Sequence, residues 1–253
     1  MIDRRFTQTQ HHFASNDLET MSEAHRYQAH VLGLFRPYIG KRVLEVGAGI
    51  GTMSRSLLEM ADQVVGIEPN QACAARAAAA LGSHPRFELR VCHLEECDRA
   101  SLVSERFDTV VCVNVLEHIE DDVTALRLFA DIVEPAGGNV LVFVPAVQAA
   151  YGPLDAELGH HRRYLKGSLE KAFKAAGLEL ALLKYTNPIG LLGWMYNSWI
   201  KKSTSHSSQQ IRLFELLVAP WALPLERVLP LPIGLSLVAV GRVARGRDSR
   251  NVL

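Results

Sequence analysis

Apolar and polar positions in this chain follow two alternating periods, and the switches between them lay out its architecture. Short apolar runs, rich in β-branched residues, recur at Val43 to Val46, Gln63 to Ile67, Phe87 to Cys92, Phe107 to Val113, Val140 to Val144, Leu178 to Tyr185 and Leu235 to Val243. Their length and their glycine, proline or aspartate boundaries predict strands. Between them come stretches with a three- to four-residue apolar period: Thr52 to Ala61, Gln71 to Leu81 closing at Gly82, Arg99 to Ser104, Asp122 to Val133, and Ser168 to Ala176 closing at Gly177. These predict helices, with Asp121 or Asp122 as one N-cap. Upstream, Leu18, Met21, His25, Gln28, Val31, Leu32 and Phe35 form a moderate stripe, so a helix is predicted from near Asp17 to Pro37 and Gly40. Strands alternating with helices imply an α/β fold with a doubly wound, mostly parallel sheet.

Thr186 to Gly234 breaks the alternation. It is too long for a plain loop and holds all three tryptophans, Trp194, Trp199 and Trp221. The pattern predicts a helix at Leu191 to Lys201, a polar linker at Ser203 to Ser208 and a second helix at Gln210 to Ala219. Three roles fit its apolar faces and their aromatic and lysine flanks: a roof over a substrate pocket, a dimer or packing surface, or peripheral contact with a membrane interface.

Charge changes the picture by exclusion. The chain has 253 residues with 27 basic and 27 acidic side chains, so no basic surplus points to nucleic acid. No D/N-P-P-Y/F-type motif of nucleic-acid amino methylation occurs. Cys73, Cys92, Cys97 and Cys112 lack metal-ligand spacing, and no metal is expected; Cys92 and Cys112 fall in predicted buried strands. The N-terminal stretch has no apolar signal core, and no uncharged apolar run reaches about 18 residues, the length that spans a bilayer. A cytoplasmic location is expected, peripheral to the membrane if the 186–234 segment meets one.

The candidate chemistry centres on Lys41 to Gly51. A strand breaks into Gly47-Ala48-Gly49-Ile50-Gly51, and a helix opens at Thr52. Strand, glycine turn and helix start make a nucleotide-binding corner. The spacing is G-x-G-x-G rather than the G-x-G-x-x-G of dinucleotide folds. Glu45 would repel a pyrophosphate but attract a sulfonium or ammonium. Glu68, followed by Pro69, ends the next strand where a carboxylate suits ribose hydroxyls. This combination resembles the class I S-adenosylmethionine-dependent methyltransferases, whose Rossmann-like sheet has seven strands with the last antiparallel. The resemblance implies S-adenosylmethionine as cofactor and S-adenosylhomocysteine as product. It divides the chain into an N-terminal helical lid (1–40), a cofactor-binding core (41–185), a helical insertion (186–234) and a last strand with tail (235–253).

A second motif, Phe107 to Asp122, extends the likeness. Asp108 opens the strand, Asn114 stands at its mouth, where the resemblance implies contact with the methionine end of the cofactor, and Leu116-Glu117-His118 follow. His118 is either a general base or a wall of the pocket. Where this family often has an aspartate for adenine, this chain has His93, leaving backbone groups and Leu94 for that contact. After the fifth strand, Tyr151, Asp155 and the run Gly159-His160-His161-Arg162-Arg163-Tyr164 lie where an acceptor should enter, and a D-x-x-x-G-H-x-R-R-Y-like element resembles one bacterial subgroup. His160, His161 and Tyr164 join His118 as candidate catalytic groups. Tyr27, Tyr151, Arg162, Arg163, Asn187 and Trp194 are candidate acceptor contacts; alternatively the arginines tie the loop to the sheet and Tyr164 packs beneath. Methyl transfer to a small-molecule or lipid-like acceptor is expected, O-methylation slightly ahead. A nucleotide-dependent oxidoreductase and a non-catalytic cofactor-binding module are the alternatives.

Overall fold

The computed structural model describes residues 23–202, 208–229 and 231–244. Its centre is a sheet of β1 (Arg42–Val46), β2 (Gln63–Ile67), β3 (Phe87–Arg90), β4 (Thr109–Val113), β5 (Asn139–Pro145), β6 (Leu178–Thr186) and β7 (Ser236–Val243). The spatial order is β3-β2-β1-β4-β5-β7-β6. Strands β1 to β5 run parallel, and β7 runs antiparallel between β5 and β6. Strand order reverses between β1 and β4, so a crevice is expected at their carboxyl ends.

Apolar runs without alternation arise because the sheet is covered on both faces. Successive side chains point to opposite faces. Val43 packs with Val64, Leu141 and Val240 beneath α1 (His25–Phe35), α2 (Thr52–Leu57) and α3 (Gln71–Leu81). Its neighbour Leu44 packs with Val65, Val110 and Val142 beneath α4 (Arg99–Ser104), α5 (Asp122–Val133) and α7 (Lys166–Ala175). Truncating the fully buried Phe129 of α5 to alanine should cost about 3–5 kcal/mol. Helix starts are fixed by side chains: Asn70 accepts from Ala72 N and Cys73 N, and Asp121 accepts from Thr124 N at 2.9 Å. Each such cap contributes about 1 kcal/mol.

The insertion folds as a helical hairpin. One arm is α8 (Pro188–Met195), widening into a π-helical stretch, Tyr196–Lys201. The other is α9 (Ser208–Leu213), a second π-helical stretch, Phe214–Val218, and α10 (Ala219–Val228). Asn197 Nδ2 donates to Gln210 Oε1 at 2.9 Å across the arms. Glu226 anchors the second arm, accepting from Thr186 Oγ1 at 2.7 Å and Asn187 N at 2.9 Å. Glu215 accepts from the backbone N–H groups of Arg26 and Tyr27 at 2.7 and 3.1 Å, placing a carboxylate at the positive end of α1.

Several expectations shift. The N-terminal helix is described from His25; its expected start near Asp17 and the basic tail from residue 245 lie outside the described residues. Helix α2 ends at Leu57 rather than Ala61. Strand β3 stops at Arg90, so Cys92 lies beyond it, half-buried, with its Sγ 2.9 Å from Cys97 Sγ. The second insertion helix continues to Val228 instead of ending at Ala219, passing two prolines. Pro220 stands in the first turn, where its missing N–H costs nothing. Pro224 is solvent-exposed, so the carbonyl it leaves unpaired can turn to water. Short α6 (Pro153–Glu157) was not anticipated.

Candidate active site

The glycine turn needs glycine for conformational and steric reasons. Gly47, Gly49 and Gly51 have φ of 79°, 55° and 84°, a region L side chains rarely occupy. A Cβ on Gly47 would also sit 2.3 Å from Val115 Cγ2. Gly47 N and Ala48 N both donate to Ile67 O, at 2.9 and 3.0 Å, locking the turn to the end of β2.

Two carboxylates flank this corner. Glu68 accepts from Gly49 N and from Asn70 N, each at 2.8 Å, so it sets the loop as well as facing the crevice. Glu45 is buried and accepts from Ser54 Oγ at 2.5 Å. Burial pushes its carboxyl up to about 8; the Ser54 hydrogen bond opposes this and the Glu68 charge reinforces it. A cation arriving beside Glu45 would draw it into its ionised form. Ser54 is a contributor the sequence reading missed. Its signal was a small hydroxyl in the first turn of the helix after the glycines.

The remaining predicted cofactor residues ring the same strand ends. Ala48 is buried, Thr52 opens α2 and Pro69 is exposed just past β2. His93 is exposed, and its backbone N–H donates to Glu96 Oε2 at 3.0 Å. Leu94 is buried beside it. Asn114 stands exposed at the mouth of β4 with φ 53° and donates its backbone N–H to Phe143 O at 2.8 Å. Asparagine tolerates this left-handed backbone better than most residues.

The run expected on the acceptor side organises around Asp155, on α6 and fully buried. Its Oδ1 pairs with His160 Nδ1 and with Arg163 Nε, both at 2.8 Å. Burial pushes Asp155 up, but hydrogen bonds from His160 and Gly152 N together with the Arg163 charge outweigh it and hold the carboxyl below its ordinary value. The clamp fixes His160 with Nε2 facing Glu117 Oε1 at 3.9 Å. The His118 and His160 rings meet edge-to-face, 4.6 Å between centroids. Glu117 is fully buried, and neither carboxyl oxygen has a hydrogen-bond partner. Burial pushes it up to about 8. Burial and the neighbouring His160 push His118 down to about 3, so at neutral pH it is an uncharged imidazole. Glu117, His118 and His160 each offer one donor atom within 4.8 Å of the others, a three-donor grouping that the sequence reading did not foresee.

The other predicted residues hold this frame. Arg163 is buried between Asp155 and the ring of Trp194, 4.1 Å from the ring centroid, and donates to Ala146 O at 3.2 Å. Trp194 Nε1 donates to Ala150 O at 2.9 Å. Arg162 is half-exposed, donating to Glu120 O and pairing with Asp122 at 3.1 Å. Tyr164 is buried, its hydroxyl donating to Asp122 at 2.8 Å. Tyr151 donates to His160 O at 2.8 Å, and His161 is exposed. Asn187, with φ 59°, caps α8 by accepting from Gly190 N at 2.7 Å. Tyr27 is buried edge-on between Phe143 and Phe214. The structure thus brings His118, His160 and Tyr151 together at one loop. It engages Arg163, Tyr164 and Asn187 in packing, since their polar atoms are paired with protein groups.

Comparison with known proteins gives the family and the fold. The sequence profile of a methyltransferase-domain family matches residues 12–183. The ubiquinone biosynthesis O-methyltransferase of Xanthomonas euvesicatoria is 30% identical over 190 residues, covering 72% of this chain and 77% of that protein. The human mitochondrial ubiquinone biosynthesis O-methyltransferase is 31% identical over 120 residues, 46% of this chain but only 32% of its own length. In fold, the chain resembles an S-adenosylmethionine-dependent methyltransferase of Mesorhizobium loti, with TM-score 0.54 and 19% identity over 81% of this chain and 93% of that one.

Proposed function

The chain belongs to the S-adenosylmethionine-dependent methyltransferases, and from that premise we propose that it methylates a hydroxyl oxygen of a small-molecule or lipid-like acceptor. The observation that carries this reading is the pairing of buried Asp155 with half-buried His160 at 2.8 Å beside the carboxyl ends of β4 and β5. The sulfonium already activates the methyl group, so positioning supplies much of the rate, roughly 7–11 kcal/mol. A hydroxyl acceptor also has a proton to lose. Asp155 fixes the His160 ring through Nδ1, leaving Nε2 as the atom that takes that proton. With its proton on His160 Nε2, the acceptor oxygen would be free to take the methyl group that S-adenosylmethionine would supply from its sulfonium, leaving a neutral thioether sulfur. Glu45, the Gly47 to Gly51 backbone and Glu68 hold the cofactor in this scheme, with Asn114 at its methionine end. Similarity to a ubiquinone biosynthesis O-methyltransferase supports the choice of oxygen.

The test is a labelled-methyl assay on phenolic, carboxylate and amine acceptors, with His160→Ala beside the unaltered chain. Turnover on hydroxyl acceptors should fall by roughly 10²- to 10⁴-fold, with S-adenosylmethionine affinity unchanged. Equal turnover would remove His160 from the mechanism. Binding of cofactor without conversion of any acceptor would favour a non-catalytic module.

A further inference from the structure

Apolar side chains exposed to solvent are concentrated in one place. Of fourteen large ones among the described residues, twelve lie between Leu192 and Ile233. On the second arm of the hairpin the exposed positions are Leu213, Leu216, Leu217, Trp221, Leu225 and Val228. They recur every three or four residues, so they share one face over nearly four turns. The opposite face, Ala219, Ala222, Leu223 and Glu226, is the buried one. The first arm repeats the arrangement, with Leu192, Tyr196, Trp199 and Ile200 exposed and Leu191, Trp194 and Ser198 turned inward. The Asn197–Gln210 hydrogen bonds hold the arms side by side. A helix that is apolar all round is normally buried on every side or lies in lipid. Leu216 and Ile200 are each 71% exposed here.

Charge decides what covers this face. The exposed charged side chains described between 188 and 233 are Lys201, Lys202 and Arg212; Arg212 is paired with Glu23 at 2.8 Å, so the two lysines carry the segment's net positive charge. The two acids of the segment are turned inward, Glu215 onto α1 and Glu226 into the sheet edge. The lysines end the first arm, and Lys201 lies over the Tyr196 ring. Interfacial helices carry this arrangement of aliphatic residues in the acyl boundary, Trp and Tyr at headgroup level and Lys at the rim. No described helix is long and apolar enough to cross a membrane, so the fit is to a surface.

We propose that the 188–233 hairpin docks on an anionic lipid bilayer, with the Leu216–Leu217–Trp221 face in the interface and Lys201 and Lys202 on the headgroups. The inner side of the same hairpin touches the acceptor loop through Trp194, which bonds Ala150 and covers Arg163. Docking would therefore hold the 150–163 loop one helix layer from the bilayer. The docking itself does not depend on the methyl-transfer reading, and its test needs no turnover.

The full chain is sedimented with phosphatidylcholine vesicles, with and without phosphatidylglycerol, while tryptophan emission is followed. Co-sedimentation with the anionic vesicles and a blue shift from Trp199 and Trp221 are expected. Leu216→Glu with Leu217→Glu should weaken the partition by roughly a hundredfold. Lys201→Ala with Lys202→Ala should weaken it on the order of fivefold per lysine. Heat from S-adenosylhomocysteine binding checks that each variant is folded. An unaltered chain that stays in the supernatant with both vesicle types overturns the proposal. So does a stable dimer in solution that the leucine variants convert to a monomer, which would make the face a contact between two copies.

Discussion

At the glycine corner, three residues with φ between 55° and 84° and one carboxylate 2.8 Å from a backbone N–H do the shaping. All of it happens within 24 residues of sequence, from Glu45 to Glu68. On the acceptor side the shaping falls to charged and polar side chains brought together from far apart. Asp155 clamps His160 and Arg163, Glu226 reaches back to Thr186, and Glu215 caps a helix 188 residues upstream. The first region works through backbone conformation, so only a few residue types can build it. The second works through pairing, which different partners can satisfy.

This difference explains what the sequence revealed. Strands β2 and β7 and helices α3, α4 and α5 were legible almost to the residue, because apolar period and caps are local signals. The glycine turn was legible because positive φ restricts a position to glycine. The buried state of Glu117, the Ser54 partner of Glu45 and the run of α10 past two prolines were not. Each depends on which distant group ends up alongside, and a single sequence does not encode that locally. Arg163 illustrates the point: the sequence left it either a fork for a substrate anion or a tie for its loop, and the fold engages its Nε with Asp155.

The largest expected effect would sharpen the contrast from the acceptor side. Asp155→Ala leaves the Arg163 guanidinium buried without its partner, and should cost about 3–5 kcal/mol of stability in chemical denaturation. The folded fraction should still bind S-adenosylhomocysteine normally. A loss of cofactor affinity equal to that of a corner variant would break the distinction.

Next in size, Gly47→Ala forces a side chain into left-handed backbone and against Val115. Strain of about 1–3 kcal/mol, before the clash is counted, is expected. Cofactor affinity should drop by on the order of a hundredfold in calorimetry, with the acceptor-side pairs intact.

A smaller effect is the pH dependence. Glu45 and Glu117, both raised to about 8 from 4.5, bind protons in the folded state that the unfolded chain has lost. Their stabilisation is full below 4.5 and is lost as pH rises through 8. His118, lowered to about 3 from 6.5, acts oppositely, its contribution disappearing as pH falls from 6.5 toward 3. The trends compete below pH 6.5, so the ligand-free protein should lose stability between pH 6.5 and 8.5 in thermal melts. S-adenosylmethionine should bind more tightly over the same rise, because its cation favours ionised Glu45. Glu45→Gln should flatten that affinity slope; an unchanged slope would place the titrating group elsewhere.

The most direct test of the central claim, that two carboxylates flanking a bare backbone turn hold the cofactor, is calorimetric titration of the full chain with S-adenosylhomocysteine beside Glu68→Gln. The account predicts saturable heat at one site per chain, weakened by about tenfold or more in the variant, which loses a charge-assisted bond to Gly49 N. No heat from the unaltered chain, or equal heat from both, would contradict it.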